Sequence, residues 1–367
     1  MKLTTTITLL LIGHLVLGQD RIQRIDSLLN SYYSQGKING NVLVAEKGEV
    51  IYSHSFGLAN EITKETLNEN SIFNLASVTK QFTAMSIMIL KEKGKLKLDD
   101  EIKKYIPELS IYSGITIRHL LNHTSGLPDY SKLLDSLWDK TKIANNNDIV
   151  ALLSKHQPKV FFKPNTQYKY SNTGYAMLAL IIEKTSGHSY ADYLYKSIFK
   201  PLKMKNTFVY TARLTPRPIS NFAVGYMPDS LNRYVLPDSI NETKFVFYSD
   251  GIVGQGRIHS TTFDLLKWDR TLYTTKLLSK EGMKEIFEVA TLEDKSKTKY
   301  GFGWHIDQNS DFGKITNHSG GWPGYITFID RQITNDKTII ILTNHTNFNL
   351  PIKSIRSILY NKPLPIE

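Results

Sequence analysis

The chain has 367 residues, 41% apolar and 22% charged, proportions that allow a large folded core in two lobes or one large domain. It has no cysteine, which excludes disulfides, thiolate metal sites and a cysteine nucleophile, and its ten histidines are scattered with no H-E-x-x-H pair, so neither a metal nor another cofactor is expected. The net charge of +11 invites nucleic acid as a partner, but the lysines are spread over 91–104, 159–169, 196–205 and 276–299 with no nucleic-acid motif, which reads as a solvated basic surface suited to an anionic cell envelope.

Met1-Lys2, an apolar run from Ile7 to Leu17 and the small residues at Leu17-Gly18-Gln19 have the pattern of a secretory signal over 1–18. The apolar run is shorter than the roughly 20 residues a spanning helix needs. An exported chain, periplasmic or extracellular, with no stable membrane span is therefore expected, and 19–367 is read as one domain. Ile22–Tyr33 follows as a helix. Asn41–Ala45 and Val50–His54 alternate as strands around Glu46-Lys47-Gly48-Glu49, a hairpin signal.

Val78–Leu90 is almost wholly apolar and predicts a helix buried on most sides, stopped by Lys91, Lys93 and Gly94. Residues 96–207 are mostly helical in pattern, with turns at Pro107, Pro128, Pro164 and Pro201 and a helix start capped by Asp148. Residues 211–250 are irregular and carry Pro216, Pro218, Pro228 and Pro237, the mark of a lid or binding loop. Phe302–Asp307, Lys314–His318, Tyr325–Asp330 and Thr338–Thr343 read as four closely spaced strands, and Pro351–Tyr360 as a closing helix. The expected fold is α/β: an antiparallel sheet made from both ends of the chain (20–95 plus 250–367), flanked by helices, with a mostly helical lobe (96–249) inserted.

Three short patterns sit at element junctions. Ser77-Val78-Thr79-Lys80 is S-x-x-K. The same spacing recurs at Ser34/Lys37, Ser197/Lys200 and Ser296/Lys299, but only Ser77 is expected to open a long buried helix. Residues three apart share a helical face, so the Lys80 amine can meet the Ser77 hydroxyl, and desolvation lowers a lysine pKa until the amine can take a serine proton. Tyr170-Ser171-Asn172 is the only Y-x-N and falls at a loop-to-helix junction. Tyr170 is read as a proton relay, and Asn172 as a hydrogen-bonding partner for Lys80 or a substrate amide. His318-Ser319-Gly320 is the only H-x-G. It is expected to end a strand whose small residues, Gly321 included, let a substrate backbone approach.

In this order the motifs resemble the serine β-lactamase-related family: class C β-lactamases, D,D-peptidases of low molecular weight, and their esterase and aminopeptidase relatives. Phe73–Ala84, Ile117–Leu127, Tyr170–Tyr175, Pro201–Met204 and His318–Gly324 are similar to family segments. The resemblance implies that Ser77 forms an acyl-enzyme, that Lys80 and Tyr170 share the acid–base work, and that Asn172 positions. It also implies an oxyanion hole from the Ser77 and Gly321 N–H groups, and a His318 that meets a substrate carboxylate. The implied substrate is a small molecule or peptide: a peptidoglycan-type peptide, an ester or a β-lactam. Departures are Lys203, Asn165, Arg257 and above all His318, which stands where many relatives carry lysine and so speaks against a dedicated β-lactamase.

Overall fold

A computed structural model describes residues 20–309, 311–346 and 349–365. The expected signal segment lies outside these residues. Among the described residues no helix is long and apolar enough to cross a membrane.

The sheet has six strands: β1 (Gly40–Glu46), β2 (Glu49–Phe56), β3 (His305–Asn309), β4 (Gly313–Trp322), β5 (Tyr325–Gln332) and β6 (Lys337–Thr343). Their order is β2-β1-β6-β5-β4-β3, antiparallel throughout, so the two ends of the chain meet where β1 pairs with β6. The hairpin turn Lys47-Gly48 has both residues at positive φ (53° and 83°), the conformation whose twist suits a two-residue connection. The second expected strand runs four residues further than the sequence suggested, through the whole H-x-G segment, and the first begins at His305 rather than Phe302.

Alternation along the strands builds two cores. Val42, Val44, Ile339 and Ile341 face α1 (residues 20–34) and a C-terminal helix at Ile352–Leu359, packing with Ile25, Leu29, Ile355 and Ile358. Leu43, Ala45, Ile340 and Leu342 face the other way, into the larger core around α2 (Lys80–Glu92). Every α2 residue from Lys80 to Leu90 is buried, as the apolar run required. The helix beside it, α3 (Asn172–Ser186), is equally apolar and sets its Gly174 against the Leu120 backbone, where an added Cβ would sit 3.4 Å from the carbonyl oxygen.

Two local expectations are corrected. Ser77 does not open α2. It lies in a 3₁₀ turn, Ala76–Thr79, that leads into it. The helix Asn146–His156 is capped by Asn145, whose side chain accepts from the Asn147 and Asp148 N–H groups, while Asp148 returns a bond to the Asn145 N–H as the other half of a capping box. Residues 211–250 contain only short pieces, including Met227–Pro228 paired with Tyr234–Val235 and a helical turn at Phe245–Tyr248.

Candidate active site

The nucleophile turn is held from several directions. Asn74 Oδ1 accepts the Ala76 N–H at 2.8 Å, the Leu75 N–H reaches the Ile258 carbonyl at 2.8 Å, and the Thr327 hydroxyl donates to the Leu75 carbonyl at 2.8 Å. Ala76 sits at φ 47°, a region that costs an L-residue of order 1–3 kcal/mol and persists where the surroundings over-determine it. Gly320 allows the close approach: a Cβ there would lie 2.2 Å from Thr327 Oγ1 and 2.3 Å from the Leu75 oxygen. The turn thus presents a half-buried Ser77 at the edge of β4.

Lys80 is fully buried, and no carboxylate appears among its partners in the described residues. Its Nζ lies 3.1 Å from Ser77 Oγ, 2.9 Å from Asn172 Oδ1 and 2.9 Å from the Gln255 carbonyl oxygen. The last two groups can only accept. A neutral amine gives them its two hydrogens and turns its lone pair to the Ser77 hydroxyl. Burial pushes the lysine pKa well below its ordinary value and so favours that neutral form.

Tyr170 stands opposite, its hydroxyl hydrogen-bonded to Ser77 and its ring centroid 4.8 Å from Lys80 Nζ. The ring is 36% exposed along the cleft, while burial around the hydroxyl raises its pKa and keeps it protonated. Ser171 caps α3 by accepting the Gly174 N–H, which fixes Asn172 as the first helical residue facing Lys80. The Ser171 N–H donates to His123 Nδ1 at 3.1 Å, and the buried His123 ring packs 4.3 Å from that of Tyr170.

His318 requires a correction. It lies inside β4, 1% exposed, with both ring nitrogens engaged. Nδ1 meets the Ser319 carbonyl at 2.6 Å and must carry hydrogen; Nε2 is 2.9 Å from the Tyr300 hydroxyl and accepts from it. Burial lowers its pKa well below the usual range. The ring therefore braces Tyr300 behind the cleft and offers a substrate carboxylate no free bond.

The neighbouring residues do reach the cleft. Strand β3 pairs β4 only from Gly313 to Asn317, so the outer edge of His318–Trp322 is open, and Ser319 and Gly321 are exposed. Gly321 lies opposite Ile326, whose own N–H turns away to Thr343 Oγ1 on β6. The pair is therefore not hydrogen-bonded, and the Gly321 N–H points outward to the open edge. A Cβ at Gly321 would meet nothing within 4 Å.

The structure thus brings Ser77, Lys80, Tyr170 and Asn172 into one hydrogen-bonded cluster beside the Gly320-Gly321 edge. Two supports escaped the sequence reading of single motifs. His123 fell within a quoted family-like segment without a role. The Gln255 carbonyl belongs to the Gly254-Gln255-Gly256 run, held where Asn146 bonds both Val253 and Ala176, and no side-chain pattern marks a backbone acceptor.

The family model described as Beta-lactamase matches residues 23–356. Penicillin-binding protein 4* of Bacillus subtilis strain 168 is 43% identical over 353 residues, covering 95% of this chain and 78% of the relative. Among solved structures, the octameric penicillin-binding protein homologue from Pyrococcus abyssi superposes with a TM-score of 0.79 at 26% identity, over 93% of this chain and 78% of that one. The D-amino acid amidase from Ochrobactrum anthropi SV3, complexed with D-phenylalanine, gives 0.75 at 25% identity, over 93% and 99%. A match that spans nearly the whole described sheet and both sides of the Ser77 cluster means that this chain belongs to the beta-lactamase family, with chemistry of the serine acyl-transfer and hydrolysis kind.

Proposed function

We propose that this chain is an exported serine hydrolase that forms an acyl-enzyme at Ser77 from an amide or ester substrate, with a sheet lobe (20–95 plus 250–367) and a helical lobe (96–249) meeting at the site. The observation that carries the proposal is the Lys80 amine, buried with no counter-ion among the described residues and 3.1 Å from Ser77 Oγ. The neutral amine takes the serine proton as Oγ attacks the substrate carbonyl. The carbonyl oxygen becomes negative between the Ser77 and Gly321 N–H groups. The proton then passes by way of Tyr170 to the leaving group, and the acyl group remains on Ser77 until water, deprotonated by the same pair, releases it as an acid.

Relatives named penicillin-binding proteins and a D-amino acid amidase support peptides or amides with D-residues as the substrate class. His318 supports the peptidase, amidase or esterase reading over a dedicated β-lactamase, since it places a neutral, occupied ring where that chemistry wants a free cation. Intact mass after exposure to benzylpenicillin, a D-alanyl amide and an activated ester tests the reading. One acyl group should add to the wild-type chain with at least one donor and none to Ser77→Ala. No adduct with any donor, or the same adduct in Ser77→Ala, contradicts it.

A further inference from the structure

On the side of the sheet that faces α2, cross-strand partners Thr316 (β4) and Arg331 (β5) lie opposite each other. Both are buried, at 0% and 1% exposure. Arg331 uses Nε on an Asp269 carboxylate oxygen and Nη2 on the Asp269 carbonyl, yet among the described residues its Nη1 has no hydrogen-bond partner, and neither has Thr316 Oγ1. Buried polar groups are rarely left so, and two on facing residues of paired strands are candidates for one partner.

Both residues line one cavity of about 340 Å³, within the size range of small-ligand sites. The guanidinium can only donate, so whatever bridges the pair must accept. The other charged groups of the lining are Lys280, Lys284 and Lys314, and among the described residues no acidic one lines it. Asp269 and Asp336, the nearest carboxylates, are taken up by Arg331, Arg270, Thr338 and Tyr273. The rest of the wall is mixed, with Leu272, Met283, Phe287 and Ile333 beside Tyr273, Thr274 and Thr275. In contrast, the cavity beside Trp322 carries Arg213 and Arg257 matched by Asp238 and Asp250.

From this we infer that the Thr316–Arg331 cavity is a second binding site, apart from Ser77, for a small molecule that carries a carboxylate or phosphate on an apolar body. The oxyanion bridges Thr316 Oγ1 and Arg331 Nη1, the three lysines attract it, and the body rests on Phe287 and Met283. Thr316 lies two residues before His318 on the same face of β4, so the occupant sits on the strand that also carries the catalytic edge.

Calorimetric titration of the whole chain with benzoate, phenyl phosphate and uncharged benzyl alcohol tests the site, with the first two separating carboxylate from phosphate. At least one anion should bind saturably, one per chain, and about tenfold more tightly than benzyl alcohol. Affinity should fall about tenfold in Thr316→Val and in Lys314→Glu, drop with added salt, and persist in Ser77→Ala. Thr316→Val matches the native volume and removes an unpaired hydroxyl, so it folds at least as well as the wild type, and a melting curve checks this. Arg331 is spared because it also neutralises Asp269. The inference is overturned if no anion saturates by about 20 mM. It is overturned equally if benzyl alcohol binds as well, if both variants bind unchanged, or if Ser77→Ala abolishes binding.

Discussion

Lys80, at 0% exposure, and Arg331, at 1%, are the two most deeply buried lysine and arginine side chains among the described residues. Arg331 has an acid beside it, Asp269, which is itself bonded to Arg270 and Thr338, and the Arg331 guanidinium lies 4.8 Å from the Tyr273 ring centroid. Among the described residues Lys80 has only carbonyl oxygens and a hydroxyl. A paired buried charge stays charged and acts as a staple between helix and sheet. An unpaired one is relieved by losing its proton, which converts the lysine into a base. The two sites differ less in residue type than in whether a carboxylate is within reach.

Exchanging the residues sharpens that contrast. Lys80→Arg puts a group that cannot deprotonate where no anion waits, so acylation of Ser77 should drop by about 10³-fold or more and the fold should lose several kcal/mol, read by stopped-flow acylation and urea melting. Lys80→Met should lose acylation to a similar degree but stay within about 1 kcal/mol of the wild type, since removing the desolvated polar amine offsets the two carbonyl oxygens left without a donor. Arg331→Met should cost about 3 kcal/mol by stranding part of the Asp269 charge, with the acylation rate of the folded fraction nearly kept. Arg331→Lys keeps the charge but not the forked donors and should cost only about 1 kcal/mol. A Lys80→Met protein as unstable as Arg331→Met would break the comparison.

The same difference predicts opposite pH behaviour. The pKa of Lys80 is lower folded than unfolded, so between the two values the unfolded chain binds the extra proton, and this residue's contribution to stability grows as pH rises through that window. The acylation rate should climb with pH as the folded amine deprotonates. In Lys80→Met the rise of acylation rate with pH should vanish and the stability slope above about pH 8, beyond the histidine range, should flatten, checked by melting and acylation rates measured from pH 5 to pH 10.

Much of this was legible in the sequence where the signal is local. The run Val78–Leu90 gave the buried helix, the Lys47-Gly48 turn the hairpin, and the order of S-x-x-K, Y-x-N and H-x-G the cluster. The errors lie where long-range contacts override local pattern. Ser77 sits in a 3₁₀ turn because Asn74, Ile258 and Thr327 hold it there, and the last two are distant in sequence. His318 turns inward because Tyr300, eighteen residues earlier, takes its ring nitrogen, and β4 runs on past it because β5 supplies pairs as far as Trp322. The Gln255 carbonyl is invisible to any pattern of side chains. The Asn145 cap shows a limit of another kind: Asn145 and Asp148 are both good cap residues, and only the structure tells which stands first.

The protonation state of Lys80 is the hinge of the account, and it can be observed directly. In the whole chain labelled with ¹³Cε-lysine, the Lys80 signal, assigned by its loss in Lys80→Met, should titrate with a midpoint well below the ordinary lysine value, leaving the amine substantially neutral under conditions where Ser77 is acylated. A Lys80 signal that stays that of an ammonium up to the ordinary lysine range would contradict it.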